Sequence, residues 1–255
     1  MHEVRHIAEL SALLFGLGAA AALAGRRGVA AARALLVFAT LCGAAYLGAR
    51  YWRAWPMTPM FLGAAGLPPV LGALGLATLR RQQGAQGLFV LRGVLLLGFA
   101  VGALAAVFPK DFYLPFIKTI SPFAHAMLAF GLLGRAALFL CGIHAAAALA
   151  APGAGEDAQR RAFSWLACGF AFWTLSLFGG ELWCYAGWGV PVVWEDASII
   201  TAMATWFFYV GLIHLHLTRS WSAPARSAMA VAGVGLILVL NCGPDLGPLH
   251  PPFSW

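Results

Sequence analysis

Long apolar runs separated by short polar breaks are the feature that most restricts the fold of this chain. Eight such runs occur, each near the ~20 residues that an α-helix needs to cross ~30 Å of hydrocarbon. They lie at about 7–25, 29–49, 59–79, 87–108, 123–148, 163–182, 197–218 and 227–243. Backbone polar groups must be satisfied within a bilayer, so runs of this length predict helices. The sequence therefore predicts an all-α polytopic membrane protein with about eight transmembrane helices.

The composition supports this class and excludes others. Of the 255 residues, 62% are hydrophobic and 10% are charged, which leaves too few polar groups to cover a soluble domain. The net charge of +7 comes from arginines in the breaks, without a basic stripe, so no nucleic-acid partner is expected. None of the five cysteines has CxxC spacing, which excludes the common zinc, redox and haem-attachment motifs. Whether Cys184 pairs with Cys242 stays open.

The distribution of arginines predicts the orientation. The breaks after spans one, three, five and seven hold Arg26-Arg27, Arg80-Arg81, Arg160-Arg161, and Arg219 with Arg226. The alternate breaks are less basic overall, although one holds Arg50 and Arg53. The positive-inside rule then places both termini on the outer side.

The ends and the interior of the chain show no sign of a separate module. The start, MHEVRH, lacks the charged region and cleavage site of a signal peptide, so the first apolar run is interpreted as a span. No internal repeat of the transporter type is visible. Residues 1–255 are therefore predicted to form a single integral membrane domain.

The most distinctive stretch is 179–219, GGELWCYAGWGVPVVWEDASIITAMATWFFYVGLIHLHLTR. It begins as a patch broken by Gly and Pro that contains Trp183, Trp188 and Trp194. Glu195-Asp196 closes the patch on the predicted outer side, and an apolar helix carrying His214 follows. Tryptophans at a helix end usually form an interfacial belt. The alternative is an aromatic surface for a flat apolar ligand with a metal at its centre.

Two histidines flank this patch on the predicted outer side. His125 follows Pro122 at the start of span five, and His250 lies in the C-terminal tail. Each alone is typical of a polar residue at a water interface. Together, two imidazoles and an aromatic surface are what bis-histidine ligation of haem requires, with His125 and His250 on the iron.

The remaining histidines differ in predicted depth. His214 lies about 25 Å into span seven, where a histidine is costly without a partner and is a functional candidate. His144 is at a similar depth in span five and is either a partner of His214 or a side chain that reaches the inner surface. His216 faces another side of its helix, and His2 and His6 are expected at solvent or the interface.

Arg135 lies in the middle of span five. Its guanidinium stays charged and needs an anionic or backbone partner. Glu181 and the carboxylate of a haem propionate are equally simple candidates. No P-loop, HExxH motif, nucleophile elbow or matched acid–base pair is present.

These residues resemble a known family. The patch of Trp183, Trp188 and Trp194-Glu195-Asp196 is similar to the tryptophan-rich "WWD" segment of the cytochrome c assembly family. The helix carrying Thr205-Trp206, Tyr209 and His214 resembles the one that follows this segment. SPFAH, ending at His125, and the tail with Leu240-Asn241 and His250 are similar to the family's two external histidine regions. The eight-span layout looks most like the CcsA/ResC proteins of system II cytochrome c biogenesis.

The resemblance implies a haem-handling subunit of a cytochrome c synthetase (haem lyase). Such a protein carries haem b as a substrate across the bacterial inner membrane and presents it outside to apocytochrome c. It also implies that His125 and His250 hold the iron externally over Trp183, Trp188 and Trp194. His214 would hold it within the membrane, with a second ligand from a CcsB/ResB-type membrane subunit. The WWD-like patch would face the periplasm or exterior.

The sequence departs from the family pattern in the patch. Val192 stands where a further tryptophan is expected, and Trp194-Glu195-Asp196-Ala197-Ser198 replaces a Trp-Asp-Pro-Lys-Glu run. The departures fit a divergent synthetase subunit, a specialised paralogue or a HemX-type relative, and two alternative functions stay open. One is a HemX-like, non-catalytic regulator of haem synthesis, and the other is a transporter of a small anion around Arg135. A CcmC-type protein would have six spans.

Overall fold

The computed structural model describes residues 2–59, 62–82, 84–108, 117–150, 155–194, 196–218 and 221–243. Every regular element within these ranges is helical. The α-helices are α1 (His2–Leu23), α2 (Val29–Ala54), α3 (Gly63–Leu79), α4 (Gly84–Val107), α5 (Pro122–Ala150), α6 (Gly155–Trp188), α7 (Ala197–Thr218) and α8 (Ala223–Ile237). Short 3₁₀ turns, Arg26–Gly28 and Ile117–Ile120, precede α2 and α5, and a π turn, Leu238–Cys242, follows α8.

The helices confirm the all-α membrane fold. In the described ranges, 7 helices are long and apolar enough to cross a membrane, and α3 is apolar but only 17 residues long. Each predicted apolar run corresponds to one of the helices. The number of membrane crossings and the side on which each terminus lies stay predictions.

The chain divides into two compact units, one with α1 to α4 and one with α5 to α8 that begins at Lys118. In the first unit, glycines let helices approach closely. A methyl group on Gly43 would lie 2.9 Å from Pro69 Cβ, and one on Gly98 would lie 2.5 Å from the Phe15 ring. Small residues at helix contacts are typical of membrane bundles. That both units act as a single membrane domain remains a prediction.

The first unit buries an ionic cluster near the start of α1. Glu9 is only 2% exposed, and its two carboxylate oxygens lie 2.9 Å from Arg5 Nε and 2.9 Å from His6 Nδ1. Arg5 also donates a hydrogen bond to the Ala106 carbonyl of α4 at 3.4 Å. The His6 side chain, expected at solvent or the interface, is 32% exposed, and i,i+3 and i,i+4 spacing brings His6 and Arg5 onto the face of Glu9.

The second unit is an up-and-down arrangement of four helices. Gly134 of α5 packs against Gly169 of α6, where a methyl group would lie 3.1 Å from the Gly169 carbonyl oxygen. Trp173 of α6 donates from Nε1 to the Ala202 carbonyl of α7 at 3.2 Å. The Tyr209 hydroxyl of α7 would lie 2.5 Å from a methyl group on Gly233 of α8. These contacts leave α5 buried along most of its length.

Helix α6 is longer than the apolar run that predicted it. Its 34 residues span about 51 Å, well beyond the ~30 Å of hydrocarbon. Glu156 and Asp157 in its first turn complement the positive end of the helix dipole. The patch containing Trp183 and Trp188 is not broken from Gly179 onward but stays helical. The break comes at Gly189, whose φ of 76° suits a glycine at a helix end.

Candidate functional site

One end of the second unit, where α5 begins, α6 ends and α7 begins, holds most of the predicted site residues. It is called the tryptophan end here. Ser121 caps α5, since its Oγ accepts a hydrogen bond from the Phe123 amide at 3.3 Å, and Pro122 occupies the first helical position. This start signal places His125 in the first turn of α5, where it is partly exposed.

Two consecutive glycines fix this turn of α5 beside the end of α6. A methyl group on Gly179 would lie 3.2 Å from the Met127 amide nitrogen, and one on Gly180 would lie 3.1 Å from Met127 Sδ. A side chain at Gly179 would press on the backbone of α5, whereas one at Gly180 would press on the Met127 side chain. The close approach therefore holds the His125 turn next to the helical turns that carry Trp183 and Trp188.

The three tryptophans are not equivalent. Trp183 is 8% exposed, and its Nε1 donates to the Lys118 carbonyl at 2.8 Å. Its ring packs against Trp188 in an edge-to-face arrangement, with centroids 5.3 Å apart. Trp188 and Trp194 are 42% and 62% exposed. The structure therefore places Trp183 as an anchor and leaves Trp188 and Trp194 as the accessible aromatic surface.

Lys118 joins the turn before α5 to the end of α6, and the sequence analysis missed it as a site residue. Its Nζ donates to the Gly187 carbonyl at 2.5 Å and lies 4.6 Å from the centre of the Trp188 ring. A cation suits the carbonyl-rich end of a helix and the face of an indole. The sequence signal that could have indicated Lys118 as a site residue was a single lysine just before the Ser-Pro start of α5.

Lys118→Met is expected to lower the melting temperature by about 2–4 °C. The variant keeps the Lys118 carbonyl that holds Trp183, but it loses the charged hydrogen bond and an exposed cation–π contact worth about 1 kcal/mol. Lys118→Arg should retain most of the stability. Thermal unfolding in detergent measures both variants, and an unchanged melting temperature in Lys118→Met would contradict the role of the charge.

Among the acidic residues of the tryptophan end, Asp196 has a structural role. Asp196 caps α7, because its carboxylate accepts a hydrogen bond from the Ser198 amide at 2.8 Å. Glu195 lies outside the described residues. Glu181 makes no ion pair with Arg135 among the residues described. Cys184 and Cys242 are buried and are not joined by a disulfide.

His214 lies away from the tryptophan end. It is 17 residues beyond Ala197, or about 25 Å along α7. It is exposed, on a stripe formed by Ile200, Ala204, Phe207, Gly211 and His214, opposite the buried face of α7. A methyl group on Gly211 would meet nothing within 4 Å. The structure therefore does not bring His214 next to His125, and His250 lies outside the described residues.

The hydrogen bonding of His214 fixes its tautomer. Nδ1 lies 2.9 Å from the Val210 carbonyl, and a carbonyl can only accept, so Nδ1 carries the proton. In the neutral imidazole, the remaining nitrogen, Nε2, has a lone pair, and the His214 side chain is exposed. A neutral imidazole oriented by a hydrogen bond from its other nitrogen is the usual form of a histidine metal ligand.

The histidines nearest to His214 in predicted depth, His216 and His144, are placed differently. His216 has the same bond from Nδ1, to the Leu212 carbonyl at 2.9 Å, but its ring stacks on Phe163 with centroids 5.3 Å apart. His144 is fully buried, so it does not reach the surface. Neither of its ring nitrogens has a hydrogen-bond partner among the described residues, so it does not pair with His214.

The described residues contain no group of three or more His, Cys, Asp or Glu side chains that could bind a bare metal ion. Single histidines suffice for a metal that arrives inside a macrocycle, because the ring supplies the equatorial ligands. The arrangement offers an imidazole and aromatic faces at the tryptophan end, and a separate exposed imidazole at His214, to which a planar metal complex can bind.

Comparison with known proteins supports this interpretation. Residues 31–243 match the family model described as cytochrome C assembly protein. The chain is 26% identical over 91 residues to cytochrome c biogenesis protein CcsA of Thermosynechococcus vestitus, covering 36% of this chain and 28% of that protein. It is 30% identical over 91 residues to the CcsA of Prochlorococcus marinus strain MIT 9303, with the same coverage. These alignments span less than a third of the relatives' length. No solved structure matches.

Proposed function

Because this chain belongs to the cytochrome c assembly protein family, we propose that it handles haem during cytochrome c biogenesis. Haem b is its substrate rather than a resident cofactor. The protein holds haem within the membrane and presents it at the tryptophan end for attachment to apocytochrome c. This role makes it the haem-handling subunit of a cytochrome c synthetase.

The observation that carries the proposal is the state of His214. An exposed histidine in an apolar helix is costly in lipid, and its Nδ1–H is committed to the Val210 carbonyl. Its Nε2 is thus ready to bind the iron of a flat apolar ligand. The open space at Gly211, one turn away on the same stripe, leaves room for such a ligand beside the helix.

The tryptophan end supplies the second holding position. His125 lies in a turn that packs closely against α6, and Trp188 and Trp194 have exposed aromatic faces at the same end of the unit. His250 would complete the axial pair. The thioether bonds form between haem vinyl groups and cysteine thiols of the client, so no side chain here needs to be a nucleophile. Positioning of the substrate accounts for the contribution of this chain.

The proposal includes specific partners and a location. His214 faces away from the packed core of the second unit, so the second ligand at that position comes from another membrane subunit, of the CcsB/ResB type. Apocytochrome c is the client. The proposed location is the bacterial inner membrane, with the tryptophan end on the periplasmic or outer face, which the arginine distribution supports.

The first test is the visible absorption spectrum of the detergent-purified chain, with and without its partner subunit. A six-coordinate haem spectrum is expected in the wild type. His214→Ala should lose the haem bound within the membrane, and the His125→Ala/His250→Ala pair should lose the externally bound haem. His216→Ala is the matched control, because His216 has the same backbone bond two residues away but stacks on Phe163.

A second candidate function is a HemX-like regulator of haem synthesis, which Val192 favours by standing where the family has a tryptophan. A deletion strain separates the two. Loss of mature cytochrome c supports the synthetase role, whereas altered tetrapyrrole levels with normal cytochrome c support the regulator. A colourless wild type, with or without its partner, would also contradict the haem-handling proposal.

A further inference from the structure

Arg135 is a buried cation in the middle of α5. It lies 13 residues beyond Pro122, or about 20 Å along the helix, and is 8% exposed. A charged group at this depth is expensive unless an opposite charge or several hydrogen bonds compensate it. The partners of its five N–H groups therefore decide whether the role of Arg135 is purely structural.

The side chain has two contacts among the described residues. Its Nε donates to the Gly131 carbonyl at 3.0 Å, and its guanidinium carbon lies 5.5 Å above the ring of Trp173. Trp173 is itself fixed by its hydrogen bond to Ala202 of α7. The two terminal nitrogens, Nη1 and Nη2, donate to no acceptor in the part of the chain that the structure describes. Four of the five N–H groups are thus left for a ligand.

The expected carboxylate does not fill this need. Glu181 lies on the neighbouring helix α6, yet no ion pair joins it to Arg135 within the described ranges. Residue 131 is a glycine, which lets the guanidinium edge and the Ser176 side chain lie close together. A methyl group on Gly131 would lie 3.6 Å from Arg135 Nη2 and 2.9 Å from Ser176 Oγ. A side chain at residue 131 would collide with Ser176, whose Oγ donates to the Met127 carbonyl at 2.7 Å. The unused N–H groups of the buried guanidinium are therefore the feature that indicates a ligand.

We propose that Arg135 and Trp173 form a binding site for the carboxylate of an apolar ligand inside the second unit. A guanidinium edge matches a carboxylate in a bidentate geometry, and the indole stabilises the cation from its face. The depth of about 20 Å favours a ligand that moves through the bilayer over a lipid headgroup, which stays at its surface. Under the proposed function, which this inference extends, the carboxylate is a haem propionate.

The test compares ligands that differ only in their carboxylates. Iron protoporphyrin IX and its dimethyl ester are titrated into the full-length chain in nanodiscs. The wild type should bind the diacid about tenfold or more tightly than the ester, as expected for charged hydrogen bonds. Arg135→Gln should bring the two affinities within about threefold of each other by weakening diacid binding, while ester binding stays the same. Arg135→Lys should retain part of the preference.

Matched variants separate binding from folding. Arg92→Gln removes another partly buried arginine, whose Nε donates to the Ala22 carbonyl at 3.0 Å in the first unit, and should keep the full preference. If Arg135→Gln does not fold, Arg135→Lys serves as the test variant. If Arg135→Lys prefers the diacid over the ester as strongly as the wild type does, bidentate recognition by the guanidinium is contradicted. If the wild type and Arg135→Gln prefer the diacid over the ester equally, Arg135 does not bind the carboxylate. The proposed function would then still stand.

A fatty acid tests the site without the porphyrin. Carbon-13 carboxyl-labelled oleate should give a shifted NMR signal with the wild type and lose that shift in Arg135→Gln. If the wild type binds no haem but gives this oleate result, the proposed function fails and the carboxylate site stands. If Arg135 affects neither haem nor oleate binding, the inference is wrong.

Discussion

Glu9→Ala is expected to lower the free energy of unfolding by about 3–5 kcal/mol, because it leaves a buried arginine without its carboxylate. Glu9 is almost fully buried, and Arg5 is 8% exposed beside it. Removing one partner of a buried ion pair costs more than the pair itself contributes. Unfolding by SDS titration from mild detergent measures the change.

Two controls isolate the buried charge in this test. Asp157→Ala breaks the ion pair with Arg160, whose side chains are 62% and 76% exposed, and should change stability by less than about 1 kcal/mol. Arg5→Met combined with Glu9→Met removes both charges and should recover much of the stability lost in Glu9→Ala. A loss in Glu9→Ala no larger than that in Asp157→Ala would mean that the cluster near α1 is solvated.

The fold was largely predictable because its main signal is local. Apolar runs of about 20 residues indicate membrane helices without any knowledge of tertiary contacts. The start of α5 was equally readable, since Ser121 and Pro122 are typical of the first positions of a helix. The His125 turn therefore lies where the sequence placed it.

The features that the sequence did not predict are those that depend on contacts between neighbouring helices. Helix α6 continues beyond its apolar run at both ends, and Gly179 and Gly180 pack against α5 just before its last turns. Three tryptophans looked alike in sequence, yet only the fold brings the Lys118 carbonyl to Trp183. The pairing of Arg5 with Glu9 had a visible i,i+4 signal, but their burial depends on α4.

The separation of His214 from the tryptophan end implies that, in the proposed function, haem occupies the two binding positions one after the other. Along α7, about 25 Å separates His214 from the end where His125 lies, so one haem cannot contact both residues at once. A ligand held at one position must leave it to reach the other. The carboxylate site at Arg135 offers a contact that neither histidine supplies, and it keeps the acidic edge of the ligand from crossing apolar surroundings unpaired.

Trp183→Ala is expected to lower stability, whereas Trp194→Ala is expected to weaken haem binding with little change in stability. Trp183 is buried and donates to the Lys118 carbonyl, so its removal should lower the free energy of unfolding by about 3–5 kcal/mol. Trp194 is 62% exposed, so its removal should change stability by less than about 0.5 kcal/mol. Trp194→Ala should instead weaken haem binding, because it removes an accessible aromatic face from the tryptophan end.

SDS unfolding and haem titration of the folded fraction measure the two effects separately. Trp52→Ala is the control, since Trp52 is 86% exposed in the first unit and should alter neither quantity. Trp183→Phe keeps most of the apolar volume and loses only the Nε1 donor, so about 1 kcal/mol of stability should be lost. If Trp183→Ala leaves stability unchanged but weakens haem binding as Trp194→Ala does, Trp183 contacts the ligand directly. The distinction between an anchoring tryptophan and an accessible aromatic surface would then be wrong.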